Sequence, residues 1–322
     1  MNRTGDSNQP HTLSRRDFFA TAGALAAPSL LAAEQTPKKL PPVIDTHLHC
    51  FAGPSDKRFP YHARAPYRPE KAATPEHLLK CMDGAGVDFT VVVHPEPYQD
   101  DHRYLEHCLR VGGKRVKGTC LFFCDRDGSV EKMPGLVKRW PGRIVAARLH
   151  AYAPKRLPPF DSPKLIRKLW KTATDLGLAM QLHFEPRYAP ALEPYVKEFA
   201  KTRVIVDHLG RPFQGTPKEH AVVVRWARFK NVVMKVSSLP AQDKYPHRDV
   251  APVIKQLTKA YGADRLISGG GFNADATPKS YRAYRERVRS YLAHLSAAEQ
   301  AKILGGTAAR ILGFTPNVGR GR

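Results

Sequence analysis

Six of the 14 histidines in this 322-residue chain fall where an apolar run gives out. His47 and His49 close "PPVIDTHLHCF", His94 follows "VVV", His150 ends "RLHAY", His183 ends "QLHFEP" and His208 ends "IVDHLGRP". In a β-strand, residues i and i+2 share a face, so His47 and His49 would aim two imidazoles at one point. Neutral imidazole is the commonest protein ligand for divalent transition metals, and a zinc centre needs only three protein donors plus water. The same ring can polarise a carbonyl or move a proton. One strand-end histidine is ordinarily structural. Six on five apolar runs gain a shared purpose if those runs end side by side.

The elements that would position them alternate along the chain. Strand-like runs span Val43–His47, Asp88–Val93, Val116–Phe123, Ile144–Leu149, Leu178–His183, Val204–His208, Val232–Val236 and Arg265–Ser268. Helical periodicity marks Thr74–Gly84, Asp101–Val111, Ser129–Trp140, Ser162–Gly177, Ala189–Lys201, Pro217–Phe229, Asp249–Tyr261 and Pro278–Leu295. Thr74 before Pro75-Glu76 reads as an N-cap with proline in the first turn, and Gly84 and Gly177 read as left-handed helix ends. Eight βα units of this kind predict an α/β fold, a single-domain (β/α)8 TIM barrel over residues 42–322, with chemistry at the C-terminal strand ends. An open doubly wound sheet is the alternative, but no glycine-rich fingerprint follows the first strand.

Residues 1–33 stand outside this pattern. "SRRDFF" (Ser14–Phe19) carries paired arginines and leads into "ATAGALAAPSLLAA", closed by small residues. This is expected to be a twin-arginine signal peptide cleaved near Ala33, followed by a linker over 34–41 and a periplasmic or otherwise exported mature chain. The apolar run is short and broken by Gly23 and Pro28, so no membrane span is expected after cleavage. The formal charge is +23, and the leader's three arginines against two aspartates leave the mature chain at +22. The basic residues are dispersed and no nucleic-acid motif is present, so the expected partner is a small acidic molecule rather than nucleic acid. Five cysteines, Cys50, Cys81, Cys108, Cys120 and Cys124, show no zinc-finger spacing. Cys120 and Cys124 flank an apolar "LFF" and read as buried thiols. The oligomeric state is not specified.

"IDTHLH", "MQLHF", "VIVDHLGRP", "NVVMKVSSL" and "KILGGTAARIL", in this order, resemble the amidohydrolase-related barrel hydrolases. The likeness is greatest to their lactonase-like branch, and "YHARAPYRPE" and "HPEPYQDDHRYL" share it. The resemblance implies that His47, His49 and His183 hold a divalent metal, zinc by preference, in the metal-dependent members; the branch also contains metal-independent lactonases. It implies that His208 is a ligand or polarises the substrate carbonyl, that Arg148 holds a substrate carboxylate in a bidentate fork, and that Lys235 matches the strand-7 lysine, catalytic or structural. His94 and His150, at the same mouth, are expected to contact substrate.

One position departs from the family pattern. Where the family carries an aspartate in a "GSDWP"-like turn, this chain reads "RLISGGGFNADATP", with Gly271 at the aspartate position. A lost general base typically costs about 10²–10⁴ in rate. Asp275 could swing in on the permissive glycines, Glu185 or Glu96 could substitute, or the site could bind without turning over. Asp45 is expected to share a face with His47 and to orient an imidazole, whereas Asp207 is expected to face away from His208. The expected activity is opening of a lactone or similar ester-like bond in a carboxylate-bearing molecule. The alternatives are a non-catalytic binding protein for acidic sugars and a metal-dependent decarboxylase.

Overall fold

A computed structural model describes residues 41–154, 156–239 and 249–315. The leader, and the linker apart from Pro41, lie outside the described residues. Eight strands run consecutively and in parallel: β1 (Ile44–Leu48), β2 (Phe89–Val93), β3 (Val116–Leu121), β4 (Ile144–Ala151), β5 (Ala179–Phe184), β6 (Val204–Val206), β7 (Val232–Val236) and β8 (Leu266–Ser268). Helices α1 (Pro75–Ala85), α2 (Arg103–Gly112), α3 (Met133–Arg139), α4 (Pro163–Asp175), α5 (Ala189–Glu198), α6 (Pro217–Arg225), α7 (Ala251–Tyr261) and α8 (Pro278–Tyr291) follow them in turn, and α9 (Ala297–Ala301) and α10 (Thr307–Leu312) are the last helices among the described residues. This is the (β/α)8 barrel architecture. β8 meets β1 through a side chain: Thr46 Oγ1 donates to the Ser268 carbonyl at 2.7 Å.

The strands are buried on both faces, which is why "FTVVV" and "VVMKV" read as near-continuous apolar runs. Their inward residues form layers. Ile44, Phe89, Val91, Ala146, Ala179, Ile205, Val233 and Ile267 make an apolar floor, against which the C-terminal Leu312 and Phe314 pack. Outward residues meet the helices in a second core that includes Trp170 and Trp226. Thr74 caps α1 as expected, accepting from His77 N at 3.2 Å. The helix runs through Gly84 and ends on Gly86, which takes the left-handed conformation, so the C-cap lies two residues later than expected. All five cysteines are buried and free. Among the described residues no helix is long and apolar enough to cross a membrane.

Two local irregularities set the site. β1 bulges between Asp45 and Leu48, placing three steps opposite two on β2. β6 is only three residues long and stops before Asp207. From His208 to Arg211 the backbone then takes four consecutive positive φ angles, 55°, 60°, 67° and 57°.

Candidate active site

The alternation of each strand carries the barrel interior from apolar to charged to histidine. On β4 the inward residues are Ala146, Arg148 and His150, and on β5 they are Ala179, Gln181 and His183. Asp207 continues the series from Ile205 on β6, and Lys235 and Ser237 continue it from Val233 on β7. The middle layer converges on Asp207. Its Oδ2 accepts from Arg148 Nε and Nη2 at 3.2 and 2.9 Å, its Oδ1 lies 3.1 Å from Lys235 Nζ, and Gln181 Nε2 donates to both oxygens at 3.0 Å. Burial alone would raise the Asp207 carboxyl. The charges of Lys235 and Arg148, with His47 Nδ1 3.4 Å from Oδ1, outweigh it and hold the group well below the usual carboxylate range. Burial also lowers the Lys235 ammonium, an effect that Asp207 opposes.

Above this layer five imidazoles form a continuous chain. Ring centroids are 5.2 Å apart for His49–His47, 4.3 Å for His47–His208, 5.3 Å for His208–His183 and 5.0 Å for His183–His150. The left-handed turn after β6 lifts His208 into this chain, and its Nδ1 meets Ser237 Oγ at 2.8 Å. Left-handed conformations at non-glycine residues cost of order 1–3 kcal/mol each, so packing must hold this turn in place. Burial lowers every one of these rings, His49 to about 4 and the others well below their ordinary value, so all five are neutral near pH 7. A neutral ring offers a lone pair.

The donor set for a cation differs from the expected one. His47, Asp207 and His208 each present a ligand atom within 4.8 Å of the others, all buried. Two neutral imidazoles and a carboxylate suit a divalent metal chemically. His183 does not fit, because both its nitrogens are engaged: Nδ1 meets His150 Nδ1 at 2.9 Å and Nε2 meets Arg211 Nη2. His49 gives Nδ1 to the Val93 carbonyl at 2.7 Å, which leaves only Nε2 for the cup. Lys235 competes for the same space, since its Nζ is 3.3 Å from His47 Nδ1.

Several expected residues sit elsewhere. His94 is fully buried outside the cup, with Nε2 on the Gln99 carbonyl at 2.9 Å and its ring stacked on His102. The parity of β2 explains this, because Phe89 and Val91 face inward and His94 is out of step with them. Asp275 is an exposed residue at the rim, paired with Lys71 at 2.7 Å, and its side chain is 71% exposed. Arg148 is in the cup, but Asp207 engages its fork. Asp45 does not share a face with His47. Alternation from the inward Ile44 turns it out toward α8, and the bulge that follows brings His47 in; Asp45 Oδ2 accepts from Tyr281 OH at 2.5 Å and Oδ1 accepts from His47 N and Gly270 N at 2.9 and 2.8 Å. Asp207, read from sequence as pointing away, is the hub; the inward parity of Ile205 was the signal for it.

The position of the family aspartate is closed. Gly271 has φ of 102°, and a Cβ there would lie 2.8 Å from the Tyr284 ring. Tyr284, on α8, therefore fills the place a side chain at 271 would need. Glu96 pairs with Arg156 at 2.8 Å, and Glu185 accepts from Ala153 N at 3.0 Å and pairs with Arg187. Two clefts open at the mouth. One of about 800 Å³ reaches His47, His49, His208, Ser237 and Gly271. The other, of about 430 Å³, reaches Arg148, His150, Arg126 and Arg156.

The family described as Amidohydrolase matches residues 44–314. The chain is 28% identical over 213 residues to an L-fucono-1,5-lactonase from Burkholderia ambifaria, covering 61% of this chain and 68% of that protein. It is 24% identical over 246 residues to a 2-pyrone-4,6-dicarboxylate hydrolase from Comamonas testosteroni, covering 72% and 77%. A zinc-bound amidohydrolase from Burkholderia multivorans superposes with a TM-score of 0.65 at 17% identity, covering 85% of this chain and 100% of that one.

Proposed function

Because the chain belongs to the amidohydrolase family, we propose that it is a hydrolase opening a lactone or similar ester-like bond in a carboxylate-bearing small molecule. One observation carries this reading: neutral imidazoles from β1, β4, β5 and the turn after β6 meet at the mouth of the barrel, beside an arginine-lined cleft. The two relatives named above are a sugar-acid lactonase and a hydrolase of a dicarboxylated pyrone, and a 2-pyrone is itself a cyclic ester.

His47, Asp207 and His208 would hold a divalent metal, with zinc the first candidate given the zinc-bound relative. When bound, such an ion lowers the pKa of water and polarises a carbonyl. The chain's own residues do the rest. Arg148 and Lys235 keep Asp207 ionised. Ser237 holds His208 through Nδ1, which leaves Nε2 as the one ring nitrogen that would bind the ion or, without a metal, donate to an oxygen developing negative charge. His49, anchored through Nδ1 on Val93, presents an Nε2 lone pair that can take a proton from water. A metal-free version of the same reaction has its own support, because Lys235 already places a positive charge between His47 and Asp207.

The leader supports export of the mature chain beginning near Glu34, with the barrel over 42–322 as its single domain. Mass spectrometry of the N-terminus in an envelope fraction tests this.

The decisive experiment is a panel of carboxylated lactones and sugar-acid lactones assayed by proton release, with metal analysis of protein purified without chelator. Turnover abolished by His47→Ala is expected. A binding-only reading is favoured by the pairing of every mouth carboxylate named above. Ligand binding with no turnover across the panel would establish it in place of hydrolysis, and carbon dioxide release would mark a decarboxylase.

A further inference from the structure

We propose that His150 is a fixed hydrogen-bond donor to a carboxylate of the substrate, its proton held on Nε2 by a relay that begins at Arg211. This rests on the carboxylate-bearing substrate proposed above and assigns the contact that recognises it.

A guanidinium can only donate. Arg211 Nη2 lies on His183 Nε2, so that nitrogen must accept. The neutral His183 ring then carries its one proton on Nδ1. That nitrogen meets His150 Nδ1 at 2.9 Å. Two nitrogens at this distance share one proton, and His183 owns it, so His150 Nδ1 accepts. The neutral His150 ring therefore keeps its proton on Nε2. The contacts also exclude doubly protonated rings, because Arg211 occupies His183 Nε2 and only one proton fits between the two Nδ1 atoms.

The Nε2–H that results is buried and has no partner among the described residues, in a side chain of a residue only 8% exposed. Leaving a buried donor unmatched costs about 1–3 kcal/mol, which a ligand acceptor would recover. The ring borders the cleft of about 430 Å³, whose wall carries Arg64, Arg126, Arg148 and Arg156 against Glu96 and Asp125. Arg156 is taken by Glu96, and Arg126 lies flat over Phe123 at 3.5 Å. A net positive wall with an added N–H donor selects an anion whose oxygens accept hydrogen bonds, and a carboxylate has that chemistry. Arg211 and His183 are positioning residues in this arrangement, because they fix which nitrogen of His150 bears the proton.

The test uses the full mature chain, ¹⁵N-labelled, with glutarate as the carboxylate probe. Long-range ¹H–¹⁵N spectra are expected to show His183 protonated on Nδ1, the minor form of free histidine, and His150 protonated on Nε2. Glutarate should move the His150 Nε2 signal. His150→Phe should weaken glutarate binding about 10- to 100-fold, the loss of a hydrogen bond to a charged group. His150→Gln, which can still donate, should recover most of that affinity. Arg211→Met should shift the proton of His183 to Nε2 and reverse the relay. His183 protonated on Nε2 in the unmodified protein would overturn the proposal, as would glutarate affinity indifferent to His150→Phe. Both readouts are independent of turnover. Expected tautomers without lactone opening would remove the hydrolase reading alone. Lactone opening with KM unchanged in His150→Phe would remove this proposal alone.

Discussion

Asp207 and Asp45 are both buried in one barrel, at 1% and 5% exposure, yet their carboxyls are driven in opposite directions. In the half built from β4 to β7, Asp207 meets a guanidinium, an ammonium and an amide, and is held well below the carboxylate range. At the seam between β8 and β1, Asp45 meets a phenol and two backbone N–H groups, and burial wins, raising it to about 6. Burial raises both, and the charge of the partners decides the outcome. The charged half has its electrostatics built for chemistry. The seam is structural: Asp45 ties the β1 bulge to the glycine turn and to α8, and so fixes where His47 points.

The largest expected effect removes the hub. Asp207→Asn leaves Arg148 and Lys235 buried without a full counter-charge and should cost about 3–5 kcal/mol in a denaturation experiment. A loss under about 1 kcal/mol would mean that this half tolerates its charges without the carboxylate.

The second prediction turns the contrast into opposite pH dependences. Asp207, lowered when folded, contributes stability above the unfolded value of 3.8 and loses it as pH falls. Asp45, raised from 3.8 to about 6, holds its proton in the folded state and loses stabilisation as pH rises through that window. About two units correspond to about 3 kcal/mol. Asp45→Asn should therefore gain relative to the unmodified protein between pH 4 and 6. Comparing the two profiles cancels the buried histidines, which destabilise the fold as pH falls below 6.5. Parallel profiles would contradict the assignment at the seam.

Third, Gly271→Ala forces a Cβ against Tyr284 at a positive φ, at a cost of about 1–3 kcal/mol in thermal unfolding. Adding Tyr284→Ala should return the steric part only. A neutral single substitution would show that the seam can yield, and would reopen position 271 to a carboxylate. The smallest effect belongs to the rim. Asp275→Ala removes an exposed ion pair that water and salt screen, and should leave turnover within about twofold. A fall of about 10²-fold would reinstate Asp275 as the base.

Much of this was legible in the chain. Apolar runs alternating with helical periods marked eight βα units, and the steps Ala146-Arg148-His150 and Ala179-Gln181-His183 carry the layered interior in plain two-residue alternation. Strict application of the same rule would have excluded His94 and selected Asp207. The rule failed at His47 and His208 for a different reason. An extra residue in β1 and a left-handed turn after β6 break the period, and apart from Gly210 no local residue type announces either.

The sequence by itself determined the barrel, the crowding of histidines at strand ends and the absence of a side chain at position 271, because these follow from periodicity and residue identity. Tertiary structure decided which rings meet, which nitrogens carry protons, that Tyr284 closes the glycine turn and that Asp207 rather than Asp45 stays charged. Those outcomes depend on partners brought from distant strands and helices, and hydrogen bonds and charges act over a few ångströms of space rather than along the chain.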